Sequence, residues 1–363
     1  TETDGIFTNL PVIIFDDFTT YCRFVDFQFK VKSSAVKFLK ERFPEKNDIK
    51  FLFEKLSTLK LTTVGGDHKR RWISEYSKKK VLLPKSKQEQ SKIAEILSTV
   101  DKAIEQTEGL IAKYRRIKTG LMHDLLTRGI DEQGNIRSEE THCFKNSPLG
   151  RIPVEWEVVT WKECCTRIQD GTHFSPKTDS NGKIKYITSK NIKFGYIDLS
   201  EVEYIDHKQH KGIYQHCPVK KGDVLLTKDG ANTGNCALNT FDEEFSLLSS
   251  VAFLRPNKSS LISEYLFQFI LSNRGQNMIK DAMSGLAITR ITLKIINSFF
   301  IKLPSVQEQK KIVSILSSFD KKIKSDNRNL MKLKNIKTAL MQDLLTGKVR
   351  VTKLLEKEAE AAV

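Results

Sequence analysis

Four short stretches of this 363-residue chain carry side chains able to bind a polyanion. "DGTHFSPK" (Asp170–Lys177) sets the hydroxyls of Thr172 and Ser175 beside His173 and Lys177. Hydroxyls and imidazole can hydrogen-bond a phosphate oxygen or a base edge, and an ammonium suits phosphate. The same stretch also reads as an ordinary polar loop. "TKDGANTG" (Thr227–Gly234) places Lys228, Asp229 and Thr233 among two glycines. Such a turn can bring backbone N–H groups onto phosphate, or simply join two strands. It lacks the Gly-Lys-Ser/Thr ending of a nucleotide-binding loop, which argues against ATP. "GGDHKRRW" (Gly65–Trp72) is the densest basic cluster of the N-terminal region: His68, Lys69, Arg70 and Arg71 can neutralise phosphates. An arginine there can also fork onto guanine O6 and N7, while Trp72 reads as core. "SGLAITRIT" (Ser284–Thr292) supplies Thr289 and Arg290, with Arg290 aligning on Arg70. Both arginines could instead serve local ion pairs.

Other constellations are weaker. Asp16, Asp17 and Asp26 precede Gln28 and Lys30, a loose echo of the PD-(D/E)xK nucleases, in which acidic groups hold Mg²⁺ beside a lysine. The corresponding stretch of the C-terminal half has no such pair, so a nuclease stands only as the alternative. His207, His210, His216 and Cys217 lie close together, but their spacing fits no common zinc site, and no metal is expected. The six cysteines include no CxxC and read as reduced thiols of a cytoplasmic protein. There is no Asn/Asp-Pro-Pro-aromatic tetrapeptide and no glycine-rich cofactor loop of a methyltransferase. No secretory signal or membrane span is expected. The formal net charge of +16 favours a nucleic-acid partner over a merely soluble surface.

The elements that must position these residues announce themselves by repetition. Gln88-Glu89-Gln90 and Gln307-Glu308-Gln309 lie 219 positions apart, and the same shift superposes "IKTGLMHDLLT" on "IKTALMQDLLT". About half of some forty aligned positions are identical. Apolar residues recur every three or four positions: Ile93, Ile96, Leu97, Val100 and Ile104 in one copy, Ile312, Ile315, Leu316, Phe319 and Ile323 in the other. Each copy is expected to be one helix of about 60 Å, opened at Pro84 or Pro304 and stopped at a glycine. Two such stripes in one chain can pair antiparallel. The lysine-rich faces, such as Lys310-Lys311 and Lys321-Lys322, read as solvated surface, with DNA passing alongside or contact with a partner subunit as the alternatives.

What precedes each helix is also related. Residues 150–303 read as an α+β domain and residues 1–83 echo its latter part: "VIIFDDF" parallels "VLLTKDG", with Asp17 on Asp229, and Ser33-Ser34 parallels Ser249-Ser250. The expected plan is α+β: a partial first domain (1–83), a long helix (84–129), a linker (130–149), a second domain (150–303), a second long helix (304–347) and a tail (348–363), the two domains separated by the antiparallel helix pair.

The doubled "QEQ…I…L…D" helices, "DGTHFSPK", "KGDVLLTKDGANTG" (Lys221–Gly234) and "SGLAITRIT", in this order, resemble the specificity (S) subunits of type I restriction-modification enzymes. Pro11–Phe18 and Gly66–Ser74 are similar to strings in one subgroup of first target-recognition domains. The resemblance covers all but the last dozen residues. It implies a non-catalytic subunit of a prokaryotic cytoplasmic complex that reads a bipartite site in double-stranded DNA, one half-site per target-recognition domain. The helix pair would set the spacer and dock two methyltransferase (M) subunits, with restriction (R) subunits joining indirectly. S-adenosylmethionine, ATP and Mg²⁺ would all be bound by those partners. The resemblance also implies a first domain shortened at its N-terminus.

Overall fold

The computed structural model describes residues 5–32, 36–61, 72–179, 181–283 and 289–361. The chain divides into two compact units, residues 1–112 with 324–363, and residues 113–323. Both repeats are helices, Lys87–Thr127 and Val306–Leu344, and each contributes one half to each unit. They do not start on the prolines. Ser86 Oγ accepts from Glu89 N at 3.4 Å and Ser305 Oγ from Glu308 N at 3.2 Å, so serines satisfy the otherwise unpaired first-turn amides. The carbonyls of Pro84 and Pro304 each accept from a helix glutamine instead, Gln90 and Gln309, at 2.8 Å. Gly129 and Gly347 follow the helix ends at φ of 64° and 78°. Gly129 is doubly required, because an added Cβ would fall 2.1 Å from Glu308 Oε1.

In the first unit a three-stranded antiparallel sheet has β1 (Val12–Asp16) at its centre, between β2 (Cys22–Val25) and β3 (Val36–Leu39). Phe15 is buried against the rings of half-buried Trp72 and buried Tyr76, 5.0 and 6.0 Å away. A helix, Ile49–Ser57, is capped by Asp48, whose carboxylate accepts from Phe51 N. Phe51 then joins Ile93, Ala94 and Leu97 of the first long helix, Leu344 and Leu345 at the end of the second, and Val351 in one core. Lys337 meets Asp101 and Lys334 meets Glu108, so the two helix halves run antiparallel. The segment expected as a tail is ordered. Thr352–Ala361 is a helix, and Glu358 holds Lys92 at 2.5 Å.

In the second unit β4 (Cys165–Asp170), β5 (Val224–Thr227), β6 (Cys236–Leu238) and β7 (Val251–Pro256) form an antiparallel sheet in the order β6-β5-β7-β4. It is buried on both faces. Val224, Leu226, Ala252 and Leu254 point into one apolar cluster, Leu225, Val251 and Phe253 into another, as the two-residue period of a strand requires. The first cluster also takes Trp156, Trp161, helix Ser263–Leu271 and the long-helix residues Met122, Leu125, Leu126, Ile312 and Leu316. The order β2-β1-β3 followed by a helix in the first unit matches β6-β5-β7 followed by helix Ser263–Leu271 here. The expected linker is partly built in: Ile130 is buried, and so is Arg137, paired with Glu308.

Candidate nucleic-acid interface

The register of the second sheet gathers three separate loops at one end. Ala252 lies opposite Asp170, and Thr227 opposite Val251. The residues that leave β4, leave β5 and enter β7 therefore emerge together. Backbone hydrogen bonds stitch them: Ser249 N to Thr172 O (2.8 Å), Lys228 N to Ser250 O (2.9 Å), Gly230 N to Thr289 O (2.9 Å) and Ile291 N to Lys228 O (2.9 Å). Gly171 allows this approach, since a Cβ there would sit 2.1 Å from the Leu247 carbonyl oxygen.

Within this cluster the side chains divide into supports and exposed groups. Thr172 is buried and its hydroxyl accepts from Phe174 N at 3.3 Å. Thr233 and Thr289 each donate to the Gly230 carbonyl, at 2.6 and 2.7 Å. These three threonines brace loops. Lys228, a DNA-binding candidate from the sequence, is turned inward: its side chain is 2% exposed and its ammonium lies 2.9 Å from Asp229 Oδ2 and 3.3 Å from Asp170 Oδ2. A lysine so buried is held by its carboxylates because an unpaired charge there would be costly. Exposed are His173 (70%), Arg290 (58%), Ser175 and Lys177. Lys177 rests on another support, its backbone exchanging hydrogen bonds with the Gln209 side chain at 2.8 and 3.0 Å. Sequence reasoning passed over Phe174, a largely exposed ring at the loop tip, although an aromatic inside a polar loop was a visible signal. It also passed over Asp170, whose carboxylate organises His173 and Lys228.

The remaining candidates fall elsewhere. His68, Lys69, Arg70 and Arg71 lie outside the described residues. Asp17, aligned on Asp229, is buried and accepts from Trp72 N at 2.8 Å. Asp16 accepts from Phe18 N at 2.8 Å and Thr19 N at 3.1 Å. Two of the three carboxylates of the nuclease alternative thus brace backbone. His210 sits between Ser246 Oγ (3.0 Å) and Glu244 (3.2 Å), and burial pushes the Cys217 thiol up to about 12.

The helix stripes pack unevenly. Ile93, Leu97, Ile312 and Leu316 are fully buried, and Ile96 and Ile315 lie against the same cores. Val100, Ile104, Phe319 and Ile323 are half-buried, with the Phe319 ring 6.3 Å from Tyr114. The repeated Gln-Glu-Gln motif has a visible task. Gln90 accepts from Asp48 N, the cap of helix Ile49–Ser57, at 2.9 Å; Gln309 accepts from Ile262 N, before helix Ser263–Leu271, at 2.9 Å. Each unit thus staples a recognition-domain helix to the start of a long helix in the same way.

The family described as "Type I restriction modification DNA specificity domain" matches residues 15–113 and 153–335. The chain is 29% identical over 327 residues to the type I restriction enzyme EcoR124I/EcoR124II specificity subunit of Escherichia coli, across 88% of this chain and 75% of that protein. It is 28% identical over 271 residues to the MjaVIII specificity subunit of Methanocaldococcus jannaschii, across 74% of this chain and 61% of the relative, less than two thirds of its length. In fold it resembles the type I restriction-modification S subunit of M. genitalium, with a TM-score of 0.55 at 19% identity, over 94% of this chain and 84% of the other.

Proposed function

This chain belongs to the type I restriction modification DNA specificity domain family, and from that premise we propose that it is the non-catalytic, sequence-reading subunit of a DNA modification and restriction complex. The observation that carries this reading is the second unit's loop cluster: exposed His173, Ser175 and Arg290 beside loops pinned to the buried strands β5 and β7. Rigid strands ending in exposed hydrogen-bonding side chains are what base readout in a groove demands. The first domain, with the same strand order, reads the other half-site of double-stranded DNA.

Methyltransferase subunits, two per chain, dock on the long helices. Leu110, Met331 and Ile336 support this, as exposed apolar side chains on helices otherwise faced with lysines. Restriction subunits join through them. S-adenosylmethionine, ATP and Mg²⁺ belong to those partners. The length of the helices sets the unread spacer.

The test is equilibrium binding to duplex DNA across a salt series. With about eight phosphates engaged, log K falls against log[salt] with a slope of about −7. A flat response rejects DNA as the ligand.

A further inference from the structure

Five charged or titratable side chains of the second unit form a chain through its loop cluster. His173 Nε2 lies 3.4 Å from Asp170 Oδ1, and Asp170 Oδ2 lies 3.3 Å from Lys228 Nζ. Lys228 Nζ in turn lies 2.9 Å from Asp229 Oδ2, and Asp229 Oδ1 lies 3.2 Å from Arg290 Nε. Each aspartate sets one oxygen on the same lysine and its other oxygen within ion-pair distance of a solvent-exposed side chain. The outer members come from different loops, one leaving β4 and the other following residue 288, and the only covalent route between them runs through more than a hundred residues. The backbone reinforces the arrangement, because Asp229 and Arg290 form an antiparallel bridge.

We propose that Lys228 is a positioning residue whose buried ammonium locks Asp170 and Asp229, so that His173 and Arg290 meet DNA base edges as one coupled pair. This rests on the DNA-reading function above and assigns the division of labour within it. An ammonium offers several donors on a compact centre and can bridge two carboxylates, and burial makes those contacts stiff. A guanidinium already oriented by a carboxylate loses less freedom on binding than a loose one. Arg290 is suited to guanine, and His173 to a neighbouring hydrogen-bonding base edge. Lys228 then contributes to which sequence is bound, and nothing to the count of neutralised phosphates.

The experiment uses the full chain, with a duplex selected from a randomised bipartite library and a scrambled duplex of equal length. Two quantities are read: the ratio of the two affinities and the salt slope. Lys228→Met is expected to lower the ratio about tenfold or more with the slope unchanged, because mispositioned base contacts cost specificity and not counterion release. The surface variants His173→Ala and Arg290→Ala do not depend on that variant folding. Combined, they are expected to lose at least about threefold less than the product of their separate losses, as coupled neighbours do. A Lys228→Met slope shallower by about one with the ratio preserved would make Lys228 a phosphate contact and overturn the proposal, as would strictly multiplicative losses in the double variant. A wild-type chain with no salt-dependent binding overturns the DNA reading itself, and the proposal with it.

Discussion

Lys337 Nζ lies 2.6 Å from Asp101 Oδ1, tying the second half of one long helix to the first half of the other. The counterparts of both residues, 219 positions away, make the same contact within the second unit: Lys118 Nζ lies 2.6 Å from Asp320 Oδ1. Two of the identities that reveal the repeat are thus the two ends of one cross-helix ion pair, used twice. The pair is partly exposed, so its worth is modest, about 0.2–1 kcal/mol. Lys337→Asp sets two carboxylates face to face and is expected to lower Tm by a few degrees. Adding Asp101→Lys should restore most of the loss. Thermal melts of the single and double variants check this, and failure of the second change to rescue would deny the pair any role in helix alignment.

A second equivalence is unequal in burial, and that inequality is measurable. Glu308 accepts from Arg137 Nη1 (2.6 Å), Trp156 Nε1 (3.1 Å) and Ile130 N (2.9 Å). Glu89, its repeat partner, takes Arg350 at 2.5 Å, and the arginine holds that carboxyl below the usual carboxylate range despite burial, which raises it. The side chain of Arg137 is 10% exposed and that of Arg350 59%. Removing Glu308 strands a buried cation and an indole N–H, which costs about 3–5 kcal/mol. Removing Glu89 leaves an arginine that water can solvate. Urea melts are expected to rank Glu308→Ala well above Glu89→Ala in lost stability, and equal losses would refute the distinction.

Much of this was legible in advance, and the reasons are physical. A helix of about forty residues leaves a 3.6-residue apolar period that no loop imitates, and Ile93, Leu97, Ile312 and Leu316 are buried where that period put them. The echo of "VIIFDDF" in "VLLTKDG" is real topology, since each string opens with an interior strand of its sheet, flanked by the next two strands of its own unit's sheet. Side-chain direction was not legible. Lys228 looks like any loop lysine in sequence, and only the register of β4 against β7 reveals that Asp170 arrives beside it. Arg137 in the expected linker gave no local sign of its long-range partner Glu308. Such pairings depend on tertiary placement, which spacing along the chain does not encode.

Lys302 permits a prediction about pH. It is buried on the strand Phe300–Leu303, with its ammonium 3.4 Å from the Arg151 carbonyl. Burial, with help from the nearby Arg274 charge, pushes its pKa down to about 8. The unfolded value is about 10.4, so between these values the unfolded chain binds more protons and stability rises with pH. Below about 8 the full cost of the buried charge is present. Lys302→Met is therefore expected to stabilise the fold at pH 7 by on the order of 2 kcal/mol, with the gain shrinking steadily from pH 8 to above pH 10. Denaturation at several pH values reads this directly, and a gain independent of pH would place its source in packing.

The long helices invite a test of geometry. Four residues add about 6 Å to a helix and little more than one turn, so an insertion of that size keeps the apolar stripe nearly in phase. Base pairs repeat every 3.4 Å along each strand, so the added length is close to two of them. Inserting four residues after Glu108 and four after Asn327, the aligned position, lengthens both helices alike. If helix length sets the spacer, selection from a randomised library should return the same two half-sites separated by about two more base pairs. Insertion into one helix alone breaks the contacts of Lys337 with Asp101 or of Lys118 with Asp320, and should cost stability without a clean new spacing. The same half-sites at the original spacing, from a doubly lengthened and folded protein, would show that something other than these helices measures the distance.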